Sequence, residues 1–371
     1  MVLNVKTQEL REDNNGSNLV FLIDVSGSMG SEDKLELVKG SLNLLVEELS
    51  EKDTISIVTY SGAEEVLIEG ANGNDKEAIL NAIDTLFASG STNGERSLEM
   101  AYEIAEKYKD YHSNSRIIMC SDGDLNVGIS SEAGLKEFVS EMRDTGIYLS
   151  VLGFGSGNYK DNKMEALADS GNGNYFYIDT LKEGYKVLVE DLMSTLITAA
   201  DDVKFQIEFN PDYIQSYRKI GYENRNMANA DFADDTKDGG EVGYGHSVTV
   251  VYEIVPVNPN NGLKYQGHSS SSYADWMTVS IRYKDHGENE SNLIEYVVDA
   301  DNYSEVPSND WNFVSNVVGF ALVMNDSQYK EDLTIEQVIM SMNDLELNDR
   351  DKIEFLSLVI GYSYYLNSYL Y

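Results

Sequence analysis

One cysteine, four prolines and 27 basic residues against 64 acidic ones occur in the 371-residue sequence, and each shortage closes off a class of function. The single cysteine, Cys120, permits neither an intrachain disulfide nor a cysteine-based zinc cluster. It ends the apolar run Ile117-Ile118-Met119 and reads as a small buried hydrophobe. The deficit of lysine and arginine gives a formal charge of −37 and an isoelectric point near 4.2. Nucleic acid is held by neutralising its phosphates with basic side chains, and no basic stripe interrupts the acidity, so a nucleic-acid partner is excluded. The same repulsion disfavours an anionic membrane surface. No apolar run approaches the roughly 18 residues of a spanning helix, so direct membrane insertion is not expected, and Met1–Leu10 has no charged-then-apolar export pattern. The four histidines, His112, His246, His268 and His286, are scattered, with no His-Glu-x-x-His. Neither a Gly-x-Ser-x-Gly elbow nor a Gly-Lys-Ser/Thr phosphate loop is present. The expectation is a protein that is not an enzyme; a hydrolase using a cation as Lewis acid would lack a general base.

Hydrophobic residues make up 42%, enough for a packed core. The acidity is spread evenly: residues 1–200 hold 16 basic and 35 acidic side chains, and residues 201–371 hold 11 and 29. All four prolines lie beyond residue 210, where the chain changes character. Before that point short apolar runs alternate with helical patterns: 18–24 then 34–50, 54–60 then 75–86 and 97–110, 116–120 then 131–145, 148–153 then 163–170, and 174–178 then 181–198. Such alternation predicts an α/β fold with a doubly wound, mostly parallel sheet. In 34–49 the residues Leu35, Val38, Leu42, Leu45, Val46 and Leu49 form one buried helical stripe. From about Asp202 the period becomes two, in Val203, Phe205, Ile207 and Phe209, in Val248, Val250, Tyr252 and Ile254, and in Met277, Val279, Ile281 and Tyr283. That pattern predicts an antiparallel, β-sandwich-like layer, followed by C-terminal helices over 313–324, 335–342 and 351–369. Stretches 226–240 and 257–272 read as long surface loops. The expected organisation is an N-terminal strand and linker over 1–17 that pairs with the later β layer, an α/β domain over 18–200, and a β-rich platform with C-terminal helices over 201–371.

The strongest motif is Asp24-Val25-Ser26-Gly27-Ser28, immediately after the apolar run ending at Ile23. In open α/β sheets ligands bind beyond the carboxyl ends of the strands, and in an extended loop the side chains of Asp24, Ser26 and Ser28 converge. Two further loops reach the same edge, Gly90-Ser91-Thr92-Asn93 with the Thr92 hydroxyl and Ser121-Asp122-Gly123-Asp124 with the Asp122 carboxylate. Oxygen-only donors of this kind suit a hard divalent cation, Mg²⁺ first, with Ca²⁺ or Mn²⁺ as alternatives. Taken alone, Asp-x-Ser-x-Ser also serves as a helix cap; Thr92 and Asp122 favour the metal site. Asp124 reads as a turn residue. The acidic loop of Asp231, Asp234, Asp235 and Asp238 hints at calcium, but its spacing departs from the alternating calcium loop and a solvated loop is favoured. Gly153-Phe154-Gly155-Ser156-Gly157 lacks the third glycine of a dinucleotide loop, since Asn158 stands there, and reads as a strand-end turn. The 25 tyrosines, among them Tyr362, Tyr364, Tyr365, Tyr369 and Tyr371, read mostly as half-buried core or rim residues.

The set Asp24, Ser26, Ser28, Thr92 and Asp122 resembles the metal-ion-dependent adhesion site of von Willebrand factor type A domains, over about residues 18–198. That resemblance implies a Rossmann-like fold in which the serines and the threonine ligate the metal, the aspartates hold it directly or through water, and an Asp or Glu of a protein ligand completes the shell. Gly153-Phe154-Gly155, Gly171–Tyr175, Ile220–Arg225 and Gly243–His246 resemble the YfbK-like bacterial proteins, in which a type A domain precedes a C-terminal domain. The resemblance implies a divalent-cation-dependent adhesion module at the bacterial cell surface or another extracytoplasmic site, its export signal lying outside this sequence. The alternative is a cytoplasmic regulatory or scaffolding subunit that uses the same site for an assembly partner. In either case the acidic surface repels acidic partners at long range, so the ligand carboxylate is expected on an otherwise neutral or basic surface.

Overall fold

The computed structural model describes residues 1–8, 16–61, 64–90, 96–110, 114–123, 131–155, 161–191, 198–222, 226–237, 239–257, 275–285, 288 and 290–369. After β1 (Val2–Lys6), the first 200 residues carry β2 (Ser17–Asp24), β3 (Thr54–Tyr60), β4 (Glu64–Asn72), β5 (Asn114–Ser121), β6 (Ile147–Phe154) and β7 (Tyr175–Ile178). Strands β2 to β7 form one six-stranded sheet in the order β4-β3-β2-β5-β6-β7. All neighbours are parallel except the β3–β4 pair. Helices α1 (Leu35–Glu48), α2 (Lys76–Asp84), α3 (Ser97–Lys107), α4 (Glu132–Asp144), α5 (Asp161–Ser170) and α6 (Leu181–Tyr185) cover both faces. Alternate residues of β2 feed two separate cores, as the pleat requires. Leu19, Phe21 and Ile23 join Val38, Leu42 and Ile79 from α1 and α2. Val20 and Leu22 join Leu98, Val139 and Met164 from α3, α4 and α5. The doubly wound, mostly parallel sheet follows from this two-sided burial.

Two elements differ from the sequence pattern. The segment between β3 and α2, which carries no clear period, forms β4, an antiparallel edge strand whose Glu65 and Glu69 keep it suited to solvent. The stretch 181–198 is not one helix: α6 ends at Tyr185, a wide π turn runs over Lys186–Asp191 and buries Val187 and Leu188, and by Thr198 the chain is in a strand. Apolar spacing of three to four residues does not distinguish the two helix types.

Strands β8 (Thr198–Phe209), β9 (Ile214–Ile220), β10 (Gly240–Gly243), β11 (Ser247–Pro256), β12 (Met277–Lys284) and β13 (Asn292–Val298) build two antiparallel sheets, β1-β11-β9 and β10-β8-β12-β13. Strand β1 pairs antiparallel with β11, Leu3 opposite Val250. The sheets meet through Phe209, whose ring stacks 4.0 Å from that of Tyr217 and 5.6 Å from that of Tyr252. Helices α7 (Asn309–Met324), α8 (Ile335–Asn343) and α9 (Arg350–Tyr369) follow. Ser308 caps α7 and a Thr334–Gln337 capping box opens α8. Phe320, Val338, Met342 and Val359 form their core, and Lys182 of α6 reaches Asp351 and Glu354 of α9 at 2.8 and 2.9 Å. Among the described residues, no helix is long and apolar enough to cross a membrane.

Candidate metal centre

Strands β2 and β5 lie side by side and parallel, Ile23 opposite Cys120, so Asp24 and Asp122 leave the sheet together at its carboxyl edge. Asp24 is fully buried, and its Oδ1 accepts a hydrogen bond of 2.8 Å from the Ser26 amide. This turn folds the loop back so that the hydroxyls of Ser26 and Ser28 stand 2.9 Å apart. Met29, fully buried in the short 3₁₀ turn Gly27–Gly30, pins the loop to the core below. The neighbouring loop is stitched alongside. Ser89 N donates to Val25 O at 2.7 Å, Gly27 N donates to Gly90 O at 3.2 Å, and Val25 N donates to Tyr60 O at 3.1 Å. Thr92 and Asp124 lie outside the described residues.

Each carboxylate has one oxygen engaged and one left over. Asp24 Oδ2 and Asp122 Oδ1 are both buried with no partner in hydrogen-bonding geometry, although the Tyr60 hydroxyl lies close enough to Asp24 to pull its carboxyl down. Buried acceptors without a hydrogen bond occur elsewhere in the chain, at Asn18 and Asn114 for example; this pair stands apart because both oxygens belong to carboxylates at one sheet edge, with the Ser26 and Ser28 hydroxyls in the same loop as Asp24. Burial pushes the Asp24 carboxyl up to about 6, against hydrogen bonds from Ser26 that pull it down, and the charge of Asp122 adds to the rise. Tyr60, fully buried at the end of β3, is held well above its ordinary range by burial first and then by the charge of Asp24. The pocket therefore confines negative charge that a cation would relieve. Among the described residues no cluster of three or more His, Cys, Asp or Glu is placed to hold a metal ion. A cation between Asp24 and Asp122 would draw its remaining donors from hydroxyl groups, and the Ser26–Ser28 pair fits that need.

Lys34 is the residue that sequence patterns missed. Its Nζ donates to Asp122 Oδ2 and to the Ser28 carbonyl, each at 2.9 Å. Its stem lies across Gly155, where an added Cβ would collide with Lys34 Cε and meet Cγ at 2.6 Å. Gly155 has φ +88, so the turn after β6 requires glycine both for its backbone and for the lysine above it. Lys34 opens α1, but Asp122 is 88 positions away, and no local motif announces the pair.

The other acidic group behaves differently. Asp234 Oδ1 accepts from the amide and hydroxyl of Thr236, and Asp235 Oδ1 accepts from Ser291 Oγ. The Asp234 and Asp235 carbonyls face the ammonium groups of Lys204 and Lys284 at 2.9 and 2.8 Å. The loop is clamped by lysines where a calcium loop would present oxygens to a cation. Cys120 is fully buried, and burial pushes its thiol up, as expected of a packing residue. His112, His268, His286 and Asp238 lie outside the described residues, as does residue range 258–274.

Residues 18–192 match the von Willebrand factor type A domain family. Residues 194–363 match the family described as "Uncharacterized protein YfbK, C-terminal". The chain is similar to the protein described as uncharacterized protein YfbK of Escherichia coli strain K12, 40% identical over 332 residues that cover 87% of this chain and 57% of the relative. It is also similar to human inter-alpha-trypsin inhibitor heavy chain H3, 31% identical over 173 residues that cover 44% of this chain and 19% of that one. The chain thus spans a little over half of the first relative and about a fifth of the second. Among solved structures, a von Willebrand factor type A protein from Catenulispora acidiphila aligns with 92% of this chain and 87% of its own at a TM-score of 0.51 and 14% identity, a likeness of fold alone.

Proposed function

Because the chain belongs to the proteins that join a von Willebrand factor type A domain to a YfbK C-terminal domain, we propose that it is a divalent-cation-dependent protein-binding module. Type A domains are in general protein-interaction modules, and the site described above gives that role a chemical form. Asp24, Ser26, Ser28 and Asp122 are the proposed donors, with Thr92 as the fifth on sequence grounds. The proposed occupant is a hard divalent cation, Mg²⁺ first with Ca²⁺ or Mn²⁺ as alternatives, because every donor is a hard oxygen. When bound, the metal supplies a coordination position for a carboxylate of a partner protein. The chain's own groups do the rest: the Ser26 amide fixes Asp24, Met29 anchors the loop, and the exposed Ser28 sits at the mouth of the site.

The observation that carries the reading is the pair of buried, unpartnered oxygens, Asp24 Oδ2 and Asp122 Oδ1, beside a pair of hydroxyl groups. Calorimetric titration with Mg²⁺ and Mn²⁺ tests it. The expected result is one site per chain, lost in Asp24→Ala and in Asp122→Ala while both variants keep the native far-ultraviolet circular dichroism. Unchanged affinity in both variants would remove the site.

A further inference from the structure

We infer that Lys34 sets the ligand specificity of this site: its ammonium keeps a divalent-cation complex positively charged, so that an anionic group completes it and bare metal binding is held weak. The inference rests on the metal-site reading above and concerns a residue that reading does not require. Lys34 Nζ lies 2.9 Å from Asp122 Oδ2, the oxygen opposite the unpartnered Oδ1, and its side chain is 18% exposed against 7% for Asp122. The same ammonium holds the Ser28 carbonyl, the backbone of the hydroxyl-bearing loop. Its stem is packed onto Gly155 and cannot leave without uncovering that turn. Lys34 therefore shares Asp122 with whatever cation occupies the other side of the carboxylate.

The charges then decide the outcome. A divalent cation balances Asp24 and Asp122, and the Lys34 ammonium leaves the assembly at +1. Uncompensated charge in a mostly buried site is costly, and like charges bridged by one carboxylate repel. A monovalent carboxylate brings the total to zero, whereas a neutral ligand or water leaves it at +1. Without Lys34 the order reverses: the metal alone is neutral, and an added carboxylate drives the site to −1 inside a chain of formal charge −37.

The opposed signs provide the test. Mn²⁺ is titrated calorimetrically into wild type, Lys34→Met, Lys34→Arg and Asp24→Ala. Acetate is then titrated into each Mn²⁺-loaded protein and followed by paramagnetic relaxation of its methyl protons. Lys34→Met keeps an unbranched stem over Gly155 and removes the charge; Lys34→Gln is the second neutral variant if the first unfolds at lower temperature. The expected result is Mn²⁺ binding about tenfold tighter and acetate binding about tenfold weaker in the neutral variants, with Lys34→Arg close to wild type in both. A lysine that merely held the loop in shape would weaken both on removal. Equal or weaker Mn²⁺ binding in the neutral variants, or unchanged acetate binding, overturns the inference while loss of Mn²⁺ binding in Asp24→Ala keeps the metal site. Absence of Mn²⁺ binding in wild type and in the neutral variants overturns both.

Discussion

Strands β2 and β13 are alike in composition and opposite in fate. Ser17–Asp24, SNLVFLID, is buried at every position, whereas Asn292–Val298, NLIEYVV, is exposed along six of its seven residues. The difference is one of place. Strand β2 lies between β3 and β5 with helices on both faces, whereas β13 has β12 on one side and, among the described residues, no strand on the other. A chain therefore fixes geometry to the extent that it encloses an element. The loop after β2 hangs from a frame with buried anchors on either side, and there a pair of carboxylates can be held with oxygens unpartnered. Strand β13 presents Leu293, Ile294, Tyr296 and Val297 to solvent and supplies no comparable support.

The sharpest way to break this comparison is to remove the same side chain in each place. Leu22→Ala, at a fully buried position, deletes packing on the α3–α5 face and should cost about 2–5 kcal/mol. Leu293→Ala, at a residue 47% exposed, should cost less than about 1 kcal/mol. Urea unfolding followed by circular dichroism measures both. Equal losses would mean that β13 is covered in solution and that the contrast between the regions is wrong.

Next in size is the effect of enclosure on charge. In the second region the carboxyl groups that shift are exposed or half-buried and go down: hydrogen bonds from Lys182 lower Asp351, and those from Lys330 lower Asp326. Asp24 goes the other way, up to about 6 from 3.8, chiefly because it is buried. A carboxyl raised in the folded state takes up its proton more readily there than in the unfolded chain. Its contribution to folding is then lost as pH rises from about 4 to about 6 and is constant above that. Two units correspond to about 3 kcal/mol, expected in protein kept free of divalent cations. Acidification also relaxes the repulsion of the whole acidic chain, so the quantity to measure is the stability of wild type minus that of Asp24→Asn in chelator. That difference should fall by up to about 3 kcal/mol between pH 4 and pH 7; a difference independent of pH would mean that Asp24 is not enclosed.

What could be read from the sequence divides along the same line. The stripe of α1 and the two-sided apolar run of β2 are strong because each repeats a local period that burial enforces, and Asp24-x-Ser26-x-Ser28 is strong because it follows such a run directly. Asp122 could be found for the same reason, one residue beyond the last position of β5. Strand β4 could not, since edge strands carry charges that blur alternation, and neither could β13, whose exposure hides the usual contrast between faces. The π turn at Lys186–Asp191 leaves the apolar spacing of a helix nearly intact. Lys34 escaped because its role depends on a partner brought near by two parallel strands, and a sequence window holds no record of that contact. The lysines that clamp Asp234 and Asp235 are distant in the same way, at Lys204 and Lys284.

The smallest expected effect separates backbone conformation from crowding. Gly155 and Gly221 have nearly the same dihedral, φ +88 and φ +79, but one lies at the enclosed edge of the first sheet and the other just past the half-buried end of β9. Nothing lies within 4 Å of a Cβ added at Gly221, whereas at Gly155 the Lys34 stem stands in its place. Gly221→Ala should therefore cost only the conformational penalty of a left-handed alanine, about 1 kcal/mol. Gly155→Ala should cost that and the displacement of Lys34, so the two variants should differ by about 1 kcal/mol in urea unfolding. Combining Gly155→Ala with Lys34→Ala, which clears the space, should bring the penalty at 155 down to that at 221. If the double variant shows no such relief, the lysine stem does not rest on this glycine, and the enclosure that orients its ammonium toward Asp122 must come from elsewhere in the loop.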